Sequence, residues 1–136
     1  KVIERLPGEA NYIVAIHPQA ILARTVNVDN GTVIMAGVVI NPDTNIGKHC
    51  IINTNASVDH DCTIGDYVHI SPNVALCGNV TVGEGTHIGA GSVVIPGKKI
   101  GKWCVIGAGT VVIDDVPDYA TVVGNPGRVI KISKKD

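Results

Sequence analysis

A six-residue periodicity governs most of this chain. Starting at Ile16, every sixth residue is Ile, Leu or Val for seventeen consecutive positions, and the last of them is Val112. An amphipathic helix repeats every 3.6 residues and a half-buried strand every two residues, so neither produces this pattern. Internal repeats of fixed length are typical of solenoids, in which successive turns of the chain stack on one another.

Two other positions of the six are also restricted. From Val28 to Val94, the position two residues before each aliphatic is small or β-branched: Val26, Thr32, Val38, Thr44, Cys50, Ala56, Cys62, Val68, Val74, Val80, Thr86 and Ser92. The position one residue after it is often glycine: Gly47, Gly65, Gly83, Gly89, Gly101 and Gly107. Each hexapeptide is therefore predicted to be a short strand with two inward side chains and a tight turn, where glycine permits backbone conformations that other residues resist. The chain has no Phe and 45% hydrophobic residues, so its interior is built from small and β-branched side chains.

This pattern closely resembles the hexapeptide-repeat family of left-handed parallel β-helices. In that family three hexapeptides form one triangular coil, and neighbouring coils stack at about 4.8 Å. The resemblance implies an all-β fold with five to six coils over residues 14–113. Residues 114–136 are expected to form a short cap and tail that protects the last open strand edges. Residues 1–13 are expected to be the stub of a missing upstream domain.

Composition excludes several classes of function. The formal net charge is −1 with no basic stripe beyond "KISKKD", so nucleic-acid binding is not predicted. No apolar run approaches the roughly 18 residues of a membrane span, and the given sequence shows no signal-peptide pattern. We therefore expect a cytoplasmic protein without a membrane partner.

His60 is the most distinctive ionisable residue. It follows the aliphatic Val58 by two positions, at a turn where its side chain points outward, and it lies between Asp59 and Asp61. A neighbouring carboxylate orients an imidazole and stabilises its protonated form, as a general base requires. His69 and His87 are one coil apart and should stack. His60 and His69 are one and a half faces apart, so they are expected to cooperate only across a subunit boundary.

A closer resemblance lies in the segments "VIMAGVVINPDTNIG", "IINTNASVDHDCTIGDYVHISP", "GNVTVGEGTHIGAGSVVIPGKKIG" and "VVGNPGRVI". They are similar to the sialic-acid O-acetyltransferases and nucleotide-amino-sugar N-acetyltransferases (the NeuD and PglD group). The resemblance implies transfer of acetyl from acetyl-CoA, as co-substrate, to an amino group of a nucleotide-linked amino sugar. It implies that His60 is the base and that Asp61 supports it. Acetylation of a sialic-acid hydroxyl is the alternative.

The same resemblance implies a cofactor site. His69 and the backbone at Gly78 would contact the acetyl end of acetyl-CoA, and the backbone at Ala90 and Ala108 would hold the pantetheine arm. Members of the family pack three columns about a threefold axis, which implies a homotrimer with sites between subunits. Asn53 follows Ile52 at a turn; it either stabilises that turn or lines the substrate pocket.

Two further functions stay open at this point. The γ-class carbonic anhydrases share the fold, and His60, His69 and His87 could supply three imidazoles to zinc; the family's close-spaced ligand pair is missing here, so no metal is predicted. A solenoid can also be a non-catalytic trimeric scaffold.

The cysteines and Trp103 have simpler expected roles. Cys50, Cys62 and Cys104 occupy inward positions and are expected to be reduced core residues. Cys77 is expected to point outward near the acetyl site, without a partner histidine close in sequence. Trp103 is expected to pack in an interface, with contact to the CoA adenine as the alternative. His17 and His49 are expected to be structural or exposed.

Overall fold

Two-residue strands recur every six residues along most of the chain. The structure, a computed structural model, describes residues 2–6, 8 and 10–134. A single 3-10 turn at Ile3–Arg5 precedes the strands, which are numbered in chain order and form three sheets. The first sheet contains β1 Ala15–Ile16, β4 Val33–Ile34, β7 Ile51–Ile52, β10 His69–Ile70, β13 His87–Ile88 and β16 Val105–Ile106. The second contains β2 Ile21–Leu22, β5 Val39–Ile40, β8 Ser57–Val58, β11 Ala75–Leu76, β14 Val93–Val94 and β17 Val111–Val112. The third contains β3 Asn27–Val28, β6 Asn45–Ile46, β9 Thr63–Ile64, β12 Thr81–Val82 and β15 Lys99–Ile100.

All these strands pair in parallel, and every register is offset by one coil of three hexapeptides. His69 pairs with His87, for example, and Ala75 pairs with Val93. The three sheets are the three faces of a column, which confirms the left-handed parallel β-helix of about six turns. The turns from the first to the second sheet form what we call edge 1–2. Those from the second to the third form edge 2–3, and those from the third back to the first form edge 3–1.

Between Thr32 and Ser92 the interior contains the two predicted side chains of each hexapeptide, whereas Ile16 in the first coil is 47% exposed. From Ile34 to Val112 every aliphatic of the six-residue series is at most 2% exposed, and Cys50, Cys62 and Cys104 are buried with them as free thiols. The buried hydroxyls are all bonded: Thr32, for instance, donates to the Gly47 carbonyl at 2.7 Å, and Ser92 donates to the Gly107 carbonyl at 2.9 Å. A small residue is therefore preferred at this position, because its side chain lies against the backbone of a turn.

The glycines that follow the aliphatics have a different role from the predicted one. From Val28 to Ile106, positive φ angles occur three residues after each aliphatic, at positions such as Gly85 and Gly91, and non-glycine residues such as Asp61 and Tyr67 adopt them as well. The φ of Gly83 is not in this region, but a Cβ there would lie 2.6 Å from the carbonyl carbon of Gly101 in the next coil. Glycine is required at these positions because the coils approach closely, so the prediction that it relieves a tight turn was wrong for them.

The chain closes the column after β17. Strand β18, Ala120–Val123, adds to β16 in parallel, and β19, Arg128–Ile132, pairs antiparallel with β18. The Gly127 amide also donates to the Val111 carbonyl at 2.8 Å. These bonds occupy strand edges that the last coil would otherwise expose. A membrane-spanning helix is absent from the described residues.

The core makes a stability prediction. Replacing Ile64, 2% exposed, by Ala should lower the free energy of unfolding by about 2–5 kcal/mol, because it removes three buried carbon atoms and leaves a cavity. Thr63→Ala is the matched control: its side chain points outward from the same strand, so the change should stay within about 0.5 kcal/mol. Urea unfolding at one fixed protein concentration measures both. Equal effects would contradict the assignment of Ile64 to the core.

Candidate active site

His60 lies at edge 2–3, in the turn that follows β8. Its Nδ1 is 2.8 Å from Oδ2 of Asp61, and both side chains are 58% exposed. Asp61 adopts a left-handed backbone conformation, with φ +56°, which turns its carboxylate back towards the preceding ring. A carboxylate only accepts hydrogen bonds, so the proton of the neutral imidazole is on Nδ1 and donates to Asp61. The Nε2 atom then has a free lone pair and can accept a proton.

Two carboxylates raise the pKa of His60 above its ordinary value. The hydrogen bond to Asp61 has the largest effect, and the charge of Asp59 adds to it. Asp59 is itself fixed, because its Oδ1 accepts from the Asn41 side chain and from the His60 backbone amide, each at 2.8 Å. The Asn41 bond and then the His60 amide hold the pKa of Asp59 below its ordinary value. The carboxylates of both sequence neighbours therefore favour the protonated form of this imidazole.

Gly78 lies one coil beyond His60, and the imidazole ring covers it. A Cβ at Gly78 would lie 2.7 Å from both Cε1 and Nε2 of His60, so no other residue type would leave room for this ring position. The Asn79 amide donates to the His60 carbonyl at 2.9 Å and ties the two turns together. In the described chain no group accepts from the Gly78 N–H. This edge thus presents a proton acceptor and an unused N–H donor side by side.

An open pocket of about 450 Å³ adjoins the ring. It is lined by Asp59, His60, Cys77, Gly78, Asn79, Pro96 and Gly97. Sequence reasoning missed Asn79, Pro96 and Gly97, although their signal was present: each is one or two coils beyond a residue of the turn at 59–61. The structure also brings Cys77 into the pocket of His60, although the two are distant in sequence.

The other predicted residues lie elsewhere on the column. His69 is on the first sheet, where its ring stacks on that of His87 with centroids 4.6 Å apart and 11° between the planes, as predicted. Asn53 is at edge 1–2, with its side-chain nitrogen 3.4 Å from Nε2 of His69. Burial and then the neighbouring His87 lower the pKa of His69.

Ala90 and Ala108 also lie at edge 1–2. Both are exposed, and the Gly109 amide donates to the Ala90 carbonyl at 2.8 Å, so the two residues are stacked in adjacent coils. The site residues therefore form two groups. His60, Asp61 and Gly78 are at edge 2–3, whereas Asn53, His69, Ala90 and Ala108 are on or beside the first sheet.

The remaining residues considered for function lie away from the His60 pocket. No group of three or more His, Cys, Asp or Glu side chains placed to hold a metal ion occurs within residues 2–6, 8 and 10–134. Trp103 is 50% exposed at edge 3–1, where it lines a separate pocket with Tyr67 and Ile3. His49 belongs to the same edge and stacks on Tyr67, with ring centroids 5.4 Å apart. His17 is exposed, and its Nδ1 accepts from the Gln19 amide.

Known proteins share both this fold and much of this sequence. The family model described as the GMPPB C-terminal domain matches residues 34–131. Comparison with the sequences of curated proteins gives no match. A perosamine N-acetyltransferase from Caulobacter crescentus, solved with CoA and GDP-perosamine, is 44% identical with a TM-score of 0.87; the alignment covers 93% of this chain and 58% of that one.

Two further solved structures are similar. The acetyltransferase domain of PglB from Neisseria gonorrhoeae, solved with acetyl coenzyme A, is 37% identical with a TM-score of 0.88, over 90% of this chain and 60% of that one. WeeI from Acinetobacter baumannii is 32% identical with a TM-score of 0.82, over 85% of this chain and 57% of that one. The chain thus spans less than two thirds of each of these three proteins.

The His60 geometry makes a titration prediction. Asp61→Asn removes the strongest cause of the raised pKa, so the NMR titration midpoint of His60 should fall. Asp43→Asn is the matched control, because Asp43 occupies the equivalent turn position one coil earlier and does not act on His60. A midpoint that moves equally in both variants would contradict the specific Asp61 bond.

Proposed function

As this chain belongs to the GMPPB C-terminal domain family and resembles hexapeptide-repeat sugar N-acetyltransferases over most of its length, we propose that it transfers the acetyl group of acetyl-CoA to an amine on a nucleotide-linked amino sugar. We assign this chemistry to the β-helix of residues 14–113. The observation that carries the proposal is the His60–Asp61 pair, whose free Nε2 lies against Gly78 in an open pocket.

His60 acts as the general base. The acceptor amine attacks the thioester carbonyl of acetyl-CoA, and Nε2 of His60 takes a proton from the attacking nitrogen. A C–N bond forms and the C–S bond breaks; the proton passes from the imidazolium to the departing sulfur, which leaves as the thiol of CoA. Asp61 and Asp59 stabilise the imidazolium during this step. No acyl-enzyme is needed, so Cys77 is not required as a nucleophile.

The Gly78 N–H stabilises the oxyanion of the tetrahedral intermediate. It is a backbone donor already positioned beside the base, so little reorganisation is needed when negative charge develops on the acyl oxygen. His69 provides a second contact to the acetyl group. Ala90 and Ala108, stacked at edge 1–2, offer a backbone track along which the extended pantetheine arm lies. Both alanines have only a methyl side chain, so the pantetheine arm can approach the backbone closely.

The site is completed by a second copy of the chain. His60 and Gly78 are at edge 2–3, whereas His69, Ala90 and Ala108 are on the first sheet and edge 1–2. One straight column cannot bring these two groups together, but neighbouring columns can, when edge 2–3 of one faces the first sheet of the next. A cyclic arrangement of three copies satisfies this contact for every subunit, so we propose a homotrimer with three sites.

The acceptor is an amine rather than a hydroxyl. The Caulobacter structure contains GDP-perosamine, the name of which denotes an amino sugar carried on a nucleoside diphosphate. We propose the same class of acceptor here. Asn53 would border its pocket, because one N–H of its amide faces His69 and the other stays available to the sugar.

Loss of the base should abolish most turnover. In the proposed enzyme His60→Ala should lower kcat/KM with acetyl-CoA and a nucleotide-linked amino sugar by at least about a hundredfold, the usual lower value for general-base help. CoA thiol release measures the rate, and circular dichroism checks folding. His17→Ala, an exposed histidine remote from the pocket, is the control and should retain full activity.

Assays with several acceptors distinguish acetylation of an amine from acetylation of a hydroxyl. GDP- and UDP-linked amino sugars should be acetylated, and a sialic acid should not. Turnover of the sialic acid alone would overturn the amine assignment but keep acetyl transfer. Near wild-type activity of His60→Ala would overturn the assigned base. No thiol release with any acceptor would overturn the proposed function.

Subunit mixing tests the shared site. Inactive His60→Ala subunits and weakened His69→Ala subunits should regain activity when co-assembled, because an intact His60 from one copy then faces an intact His69 from another. Light scattering should give about three times the 14.1 kDa of one chain. A monomer, or mixed assemblies no more active than the separate variants, would contradict a site between subunits.

A further inference from the structure

Four polar side chains form a connected group on and beside the first sheet. The rings of His69 and His87 stack face to face in adjacent strands, 4.6 Å apart. Nε2 of His69 is 3.4 Å from the Asn53 side-chain nitrogen, and Nε2 of His87 is 2.9 Å from the hydroxyl of Ser71. Asn53 and Ser71 are themselves one coil apart. Each imidazole therefore has a polar partner at the same ring position.

The orientation of the Asn53 amide is determined by the backbone. Its Oδ1 accepts from the Thr54 amide at 2.8 Å and lies 3.3 Å from the Thr54 hydroxyl. The oxygen of the amide is thus engaged, and the NH2 group faces His69. An amide NH2 only donates, so Nε2 of His69 must accept and cannot carry a proton. The neutral ring then has its proton on Nδ1.

The stack disfavours a second charge. The strand neighbours of His69 are Ile51 on one side and His87 on the other, so His87 is the titratable group that faces it within the described chain. Two imidazolium rings at this separation would repel each other. Ser71 is 6% exposed, and its bond to His87 keeps that ring in place over His69. Burial of His69 acts in the same direction, because a charged ring loses solvation.

We propose that Asn53 and His87 are positioning residues that hold His69 as a neutral imidazole with its proton on Nδ1. In the described chain no group accepts from this Nδ1–H, so it is available as a donor. The use of that donor rests on the proposed function: it would bond to the acyl oxygen of acetyl-CoA. The protonation state itself does not depend on that function.

The neutral state of His69 determines which of the two imidazoles takes up the proton of the acceptor amine. Two imidazoles serve one reaction, and only one of them should take up a proton. His60 is paired with carboxylates that stabilise its charged form, whereas His69 is paired with an amide donor and another imidazole that destabilise it. The amine proton therefore passes to His60, and His69 keeps its donor. Opposite environments of this kind separate the roles of two chemically identical side chains.

The test is NMR of the full chain with 15N-labelled histidine, using long-range 1H–15N correlations. His69→Gln identifies the His69 signals. At pH 7 we expect an unprotonated Nε2 and a protonated Nδ1, with a titration midpoint below the ordinary value of about 6.5. His87→Gln should shift this midpoint upward, because it removes the facing imidazole. His17→Gln is the control and should leave it unchanged.

Asn53→Asp provides a second variant of almost equal shape. A carboxylate at this position accepts from Nε2–H, so the midpoint of His69 should rise and the neutral ring should move its proton to Nε2. The Asn53→Asp variant tests the proposal even if His87→Gln fails to fold. A wild-type His69 that is charged at pH 7 or carries its proton on Nε2 would overturn the proposal. An unchanged His69 titration midpoint in every folded variant, whether His87→Gln or Asn53→Asp, would overturn the proposal as well.

Turnover adds an independent readout. If the proposed function holds, Asn53→Asp should lower kcat, because the neutral His69 ring then carries its proton on Nε2 and the acyl oxygen loses its Nδ1–H donor in the transition state. An unchanged kcat in a folded Asn53→Asp variant whose neutral His69 ring has its proton on Nε2 would overturn the use of this donor at the acyl oxygen. Absence of acetyl transfer in the wild type would overturn the function alone, since the NMR result stands without it.

Discussion

Stacking of one coil directly on the next is the constraint on which the rest of this structure depends. The amide of each turn donates to a carbonyl of the coil before it, as Asn79 does to His60 and Gly97 to Gly78. Because these bonds repeat without a register shift, a side chain always lies over the residue 18 positions away. The chemistry of the candidate site follows this rule: the His60 ring covers Gly78 because it is one coil below it, and the missing Cβ leaves the space that the ring fills.

The same rigidity separates the site into two halves. A flexible loop could bring His60 to His69, but both are held by strands and turns of a column whose edges do not approach each other. In the proposed enzyme the column therefore presents the base on one edge and the acyl-binding surface on and beside the first sheet. Association of copies, as proposed above, would unite the two halves without any movement of the chain and would make oligomerisation part of catalysis.

Electrostatics then distinguish imidazoles that the fold places in similar surface positions. Asp59 and Asp61 raise the pKa of His60, whereas burial and His87 lower that of His69. Neither effect requires a deep pocket. At His60 the largest effect is that of the carboxylate that accepts the ring proton, whereas at His69 burial has the largest effect and an amide NH2 faces Nε2. The different surroundings of the two rings thus shift their pKa values in opposite directions.

The sequence by itself determined the fold and the resemblance to sugar acetyltransferases, and both are confirmed. The periodicity from Ile16 to Val112 predicted a series of short strands, and the resemblance to the hexapeptide-repeat family implied that three of them form one coil. The stack of His69 on His87 followed from the same count. Only the tertiary structure decided what lies at the turns. It showed that Gly83 is needed for close approach of backbones rather than for its φ angle, and it placed Cys77 and Pro96 in the pocket of His60. It also oriented the Asn53 amide towards His69. Turn geometry and side-chain direction depend on atoms of neighbouring coils, and a linear pattern of residue types does not contain them.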